Sequence, residues 1–174
     1  MQHAVCLVAL LAAVPLAAQE PYDPEARLGE LGLTLPEPAA PVANYVRAVR
    51  TGNLVFTAGH GECGPQRHTG KVGRDLTIEQ GQEAARLVGL CLLGTLKAEL
   101  GDLRRVRRIV KVLGMVHSTD DFTNHPRVMN GFSDLMVAVF GEARGKHARS
   151  AVGMSSLPMD IAVEIEMVVE VGDD

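Results

Sequence analysis

Aromatic residues are scarce: two Tyr, four Phe and no Trp in 174 residues. Proteins that hold single-stranded nucleic acid stack bases on aromatic platforms, and this chain has few to offer. A dominant charge is missing too. Seventeen Lys and Arg against 21 Asp and Glu leave a net charge of -4, and both signs are spread along the chain. Such a field gathers neither nucleic acid nor anionic lipid. Three Cys do not make a disulfide framework. The chain does not need one, because at this length roughly two thirds of the unfolded surface leaves water on folding. The length fits one domain.

The N-terminus stands apart in composition. Met1, Gln2 and His3 lead, without Lys or Arg, into an apolar run from Ala4 to Leu16 that closes on Ala17, Ala18 and Gln19. That run is too short to span a bilayer, and its small-residue exit favours cleavage over anchoring. Residues 1–19 therefore read as a secretory signal peptide, with an uncleaved anchor or a misassigned start codon as the alternatives. The expected mature protein is exported, periplasmic or extracellular, and has no membrane association. Cys6 leaves with the signal. Cys63 and Cys91 are expected as a free loop thiol and a core thiol on an apolar helix stripe. Residues 20–40, rich in Pro, Glu and Ala, read as a leader, and residues 41–174 as the domain.

Within the domain the elements alternate. Val46–Arg50 and Leu54–Ala58 flank a Gly-containing turn and read as a hairpin. Five glycines and a proline between Gly59 and Asp75 make that stretch a loop, with a short strand near Gly70–Val72. Thr77–Ile78–Glu79–Gln80 has the form of a capping box, and apolar residues recur at helical spacing from Ala84 to Leu96 before Gly101. The β-branched run Val106–Val116 reads as a strand buried on both faces. Pro126 suits the first turn of a second helix, expected to end at Gly141. Strands near His147–Met154 and over Ile161–Val171 close the chain. In the last strand Val163, Ile165, Met167 and Val169 alternate with Glu164, Glu166, Val168 and Glu170, so one face is apolar and the other largely acidic. The order is β-β-α-β-α-β-β: an α+β fold with a mixed sheet and two helices on one face.

The densest signal is the segment Arg149–Ser150–Ala151–Val152–Gly153–Met154–Ser155–Ser156–Leu157–Pro158, followed by Val163–Glu164–Ile165–Glu166. With Asn44–Tyr45, Gly52–Asn53–Leu54–Val55–Phe56–Thr57–Ala58–Gly59 and Asp121–Phe122, it resembles the YjgF/RidA family, also known as endoribonuclease L-PSP. The likeness covers Pro41 to Val171 in the family's order. Around the second helix it fits a lesser-known branch better than the imine deaminases. The resemblance implies a fold similar to the bacillus type of chorismate mutase. It also implies a homotrimer with three clefts between subunits, where uncovered sheet faces meet. An active member hydrolyses small enamines and imines that bear a carboxylate, releasing ammonia and a 2-oxo acid without any cofactor.

Carried onto this chain, the resemblance makes Arg149 the anchor for the carboxylate, which suits a planar guanidinium whose fork of donors matches two oxygens. Glu164 matches the family's water-handling Glu, a role open to a partly buried carboxylate. Tyr45 matches the site Tyr. Asn130, across an insertion, matches an Asn facing the cleft. Gly59 and His60 belong to a loop whose backbone completes the pocket, although His60 stands where many members have Gln. Ala151 replaces the Cys common two residues after the Arg, which excludes thiol chemistry at that position. No metal is expected, because the histidines have neither paired helical spacing nor an accompanying Cys pair. The basic run from Arg104 to Arg108 reads as a solvated strand entry or an interface rim. The leading expectation is a deaminase. The alternative is a non-catalytic binder of carboxylate metabolites that uses the same Arg149 pocket. The ribonuclease reading rests on a family label alone.

Overall fold

The computed structural model describes residues 22–38, 40–41 and 43–172; the expected signal peptide lies outside them. Helix α1, Pro24–Glu30, precedes the two helices read from the sequence. Helix α2, Ile78–Leu100, begins with the expected reciprocal cap: the Gln80 N–H donates to Thr77 Oγ1 at 3.2 Å, and the Thr77 N–H donates to Gln80 Oε1 at 2.8 Å. It stops at Gly101, whose φ of 77° suits a residue without Cβ. Helix α3, His125–Gly145, carries Pro126 in its first turn, where no N–H is needed. It passes the expected stop at Gly141, where the backbone bends through a positive φ before one more turn.

Five strands form one sheet: β1 Ala48–Thr51, β2 Leu54–Thr57, β3 Val106–His117, β4 Ala148–Met154 and β5 Val163–Val171. The spatial order is β1-β2-β5-β3-β4. β3 and β4 run parallel and are joined through α3, while the other pairs are antiparallel. This is the order read from the sequence, with α1 added in front. The α+β architecture, with helices on one face of a mixed sheet, is the chorismate mutase-like fold.

The alternation in β5 decides which way the sheet faces. Val163, Ile165, Met167, Val169 and Val171 are buried under α2 and α3, with Val112, Val116, Phe132 and Met136 in the same core. Opposite them lies an uncovered face: Glu164, Glu166 and Val168 on β5, beside Leu113 and Met115 on β3 and Phe56 on β2. β3 departs from the expectation of burial on both faces, since Arg107, Arg108, Val110 and Lys111 are exposed. Its β-branched run suggested two covers, but helices cover one side only, and register shifts near Arg108 and Lys111 break the alternation.

Two further results concern segments that looked peripheral. The stretch set apart as a leader packs on the domain: Leu28 joins the core, Arg27 Nε donates to the Ala138 carbonyl at 3.1 Å, and Glu25 pairs with Lys97. The cysteines correct the expectation of two free thiols, because Cys63 and Cys91 form a disulfide with Cα atoms 5.9 Å apart. The loop after β2 folds back over α2, held by backbone bonds between His60 and Ile165 and by the His60 ring on Thr95. That return brings together two residues 28 apart in sequence. Among the described residues no helix is long and apolar enough to cross a membrane.

Candidate functional site

Arg149 lies on the edge strand β4, in register with Val112 and, through it, Met167, both buried on the helix side. Its side chain therefore leaves the sheet toward α3. There Nη1 donates to Asn130 Oδ1 at 3.1 Å and to Ser133 Oγ at 2.9 Å, and Nη2 donates to the Pro126 carbonyl at 3.2 Å. Pro126, Asn130 and Ser133 fall at i, i+4 and i+7, one stripe of a helix. A guanidinium has five N–H donors, so these bonds leave two for an anion. Asn130, matched to an Asn facing the cleft, thus meets Arg149. Ser133 was missed, although its spacing from Asn130 was a readable signal.

The other expected site residues gather elsewhere. Glu164 points from β5 to the uncovered face, beside Gly59; a Cβ added at Gly59 would fall onto the Glu164 carboxylate. A side chain there would have to displace the carboxylate from this half-buried place. Burial first, and then Glu166, push the Glu164 carboxyl above its usual range. Tyr45 is half exposed and lines a pocket with Arg47, Gly59, His60 and Cys63.

His60 lines this pocket too, but both of its ring nitrogens are engaged. Nδ1 lies 2.8 Å from the Ala58 carbonyl, which can only accept, so Nδ1 carries the proton. Nε2 then accepts from the Thr95 hydroxyl at 2.9 Å. Burial holds its pKa below the ordinary imidazole value. The ring ties the loop to α2 and presents no free nitrogen to a ligand. Glu62, buried in the same loop, accepts from the His68 N–H at 2.6 Å and lies 2.8 Å from His68 Nδ1.

Arg149 and Glu164 are thus apart in one chain. Glu164 is in register with Met115 and Arg149 with Val112, so they differ by three residues along the strands and two strands across. Strand geometry puts their Cα atoms about 14 Å apart, on opposite faces. Among the described residues, no three His, Cys, Asp or Glu side chains converge in a way that would hold a metal ion.

Comparison with known proteins identifies the lineage. Residues 25–171 match the model of the YjgF/chorismate mutase-like family, whose description carries an endoribonuclease label. The match begins inside α1, so the packed leader belongs to it. Protein TCP17 of Trypanosoma cruzi is 43% identical over 154 residues, 85% of this chain and 94% of that protein. The crystal structure of Atu1372 from Agrobacterium tumefaciens, described as of unknown function, superposes with a TM-score of 0.79 at 43% identity, covering 86% of this chain and 92% of that one. A Shewanella oneidensis structure with the same endoribonuclease label gives 0.81 at 31% identity, covering 86% and 99%. With an unbroken match from α1 through β5, the chain belongs to the YjgF/chorismate mutase-like family.

Proposed function

We propose that the protein takes up small carboxylate-bearing metabolites in clefts between copies of itself and hydrolyses an enamine or imine there, releasing ammonia and a 2-oxo acid. The observation that carries this reading is the split of its polar groups. Arg149 sits on the helix side of the sheet edge and Glu164 on the uncovered side, and rotamer changes cannot bring them onto one ligand. A homotrimer, as the RidA resemblance implies, unites them by giving Arg149 of one copy the uncovered face of the next. That face has a reason to be covered, since Val49, Phe56 and Val152 leave 55%, 43% and 39% of their surface exposed in the single chain.

In such a cleft the two spare donors of Arg149 grip the carboxylate. Glu164, its pKa raised by burial, holds the attacking water, with Tyr45 and the Gly59 backbone beside it. The exported location expected from residues 1–19 is part of the proposal. A binding-only role is favoured by one observation: in a single chain the polar groups converge on an anchor, Arg149 with Asn130 and Ser133, and not on a reacting centre.

The test is hydrolysis of 2-iminopropanoate by the wild type and by Arg149→Ala, with the oligomer mass measured in solution. Hydrolysis above the buffer rate that is lost in the variant supports the deaminase. No hydrolysis, with a melting temperature raised by 2-oxobutanoate, supports the binder. A monomer whose ligand response survives Arg149→Ala ends both.

A further inference from the structure

Gly153 lies four residues beyond Arg149 on β4 and faces the same side of the sheet. The ring of His125 occupies the space where its side chain would stand: a Cβ added at Gly153 would lie 2.5 Å from His125 Nε2 and 3.0 Å from Ser118 Oγ. Those two atoms are 3.1 Å apart. Ser118 is buried and His125 partly so, with Phe122 edge-on to the imidazole at a centroid distance of 5.2 Å. Together they line an open cleft with Asp120, Met154 and Ser155.

This cleft adjoins the anchor. The carbonyl that accepts from Arg149 Nη2 belongs to Pro126, the residue after His125. The Ser118 N–H donates to the Met154 carbonyl. In a parallel ladder, that bond turns the backbone groups of Ser150, Val152 and Met154 toward β3, and those of Arg149, Ala151 and Gly153 outward to the open edge. The floor between guanidinium and imidazole is therefore Ala151 and Gly153, two residues with almost no side chain and with outward N–H and C=O groups.

We propose that His125, with Ser118 as its hydrogen-bond partner, exchanges protons with the ligand that Arg149 anchors. The ligand is then a short molecule whose carboxylate and carbon–nitrogen double bond fit within one stretch of the β4 edge. The inference rests on the reading of the Arg149 cleft given above and adds a catalytic residue to it. The water oxygen bonds to the imine carbon as His125 takes one water proton. His125 returns that proton to the nitrogen. The C–N bond then breaks as C=O forms, and the second water proton leaves with the ammonia. Burial keeps the His125 pKa below the ordinary imidazole value, so the ring is neutral and able to accept at pH 7. The charged group that shares the cleft with it is Asp120.

The experiment is a titration of the histidine ring signals by NMR with 2-oxobutanoate, using the full mature chain and His125→Gln to assign the His125 resonance. A saturable shift of that resonance and of its apparent pKa, abolished by Arg149→Ala, is expected. Ligand-induced thermal stabilisation without any His125 response overturns the inference and leaves the Arg149 cleft standing. No binding at all removes both. In turnover, His125→Gln lowers kcat about 100-fold with KM within about twofold, as expected for a group acting in the chemical step. Ser118→Ala gives a smaller loss and a displaced pH profile. A His125→Gln variant that melts like the wild type but changes KM alone shows a packing role and overturns the assignment, as does a wild type that binds without hydrolysing.

Discussion

The two parts of the candidate site are held by different means. On the helix side, Arg149 is fixed by three hydrogen bonds to one stripe of α3, so its geometry is set by two regular elements packed on a common core. Elsewhere, Glu164 on the uncovered face and Tyr45 in a pocket that reaches α2 both border a loop whose path depends on single ties: the His60 ring on Thr95, Glu62 on His68, and the bond between Cys63 and Cys91. The first half needs the fold alone. The second needs the loop fastened as well, so damage to one half need not reach the other.

The largest expected effect breaks the loop half. Reduction of the Cys63–Cys91 bridge frees a segment spanning 28 residues and lowers stability by about 3 kcal/mol through the entropy of the unfolded chain. Urea melts with and without reductant measure it, and equal melts would show that the loop holds without the bond. On the helix half, Arg149→Ala removes a charge-assisted grip and weakens 2-oxobutanoate binding about 100-fold, read by calorimetry. Loss of its three bonds to α3 also lowers the melting temperature of the unliganded protein, so binding is read well below that temperature. Gly59→Ala, whose methyl must displace the Glu164 carboxylate, costs about 1 kcal/mol, at the low end of overpacking because the end of that side chain can swing aside, and leaves the Arg149 side intact.

The smallest effect is a pH dependence. The Glu164 pKa is raised in the fold, so the native state binds the proton more tightly than the unfolded chain does. Its contribution is fully favourable below the unfolded carboxylate range and falls as pH rises through the folded pKa. Glu164→Gln therefore stabilises the protein at pH 7 but not at pH 4, by less than about 1 kcal/mol after solvent screening. Denaturant melts at the two pH values decide it; an equal shift at both would assign the effect to packing.

Local signals carried most of the fold. The cap at Thr77, Pro126 in the first turn of α3 and the alternation along β5 each depend on neighbours within a few residues, and each was legible. The candidate residues Arg149, Asn130, Glu164, Tyr45 and Gly59 could be named from the family resemblance; of these, Asn130 and Arg149 share a hydrogen bond, and Gly59 packs against Glu164. Their division between two faces was not legible, because parity along β4 and β5 has no meaning until register is fixed through β3. The Cys63–Cys91 bond and the Ser118–His125 pair were hidden for a related reason: both join a loop to a helix through tertiary packing that periodicity does not encode. His60 shows the converse, a residue in the right loop whose ring the fold has already used.

One consequence of the way α3 grips Arg149 concerns selectivity. On the proposed reading, a guanidinium held at both terminal nitrogens would keep its place as the ligand lengthens and serve as a fixed origin from which chain length is measured. Acids one or two carbons longer would bring their reactive carbon past the imidazole, and the protein would discriminate among homologous acids by reach rather than by the shape of a surrounding pocket.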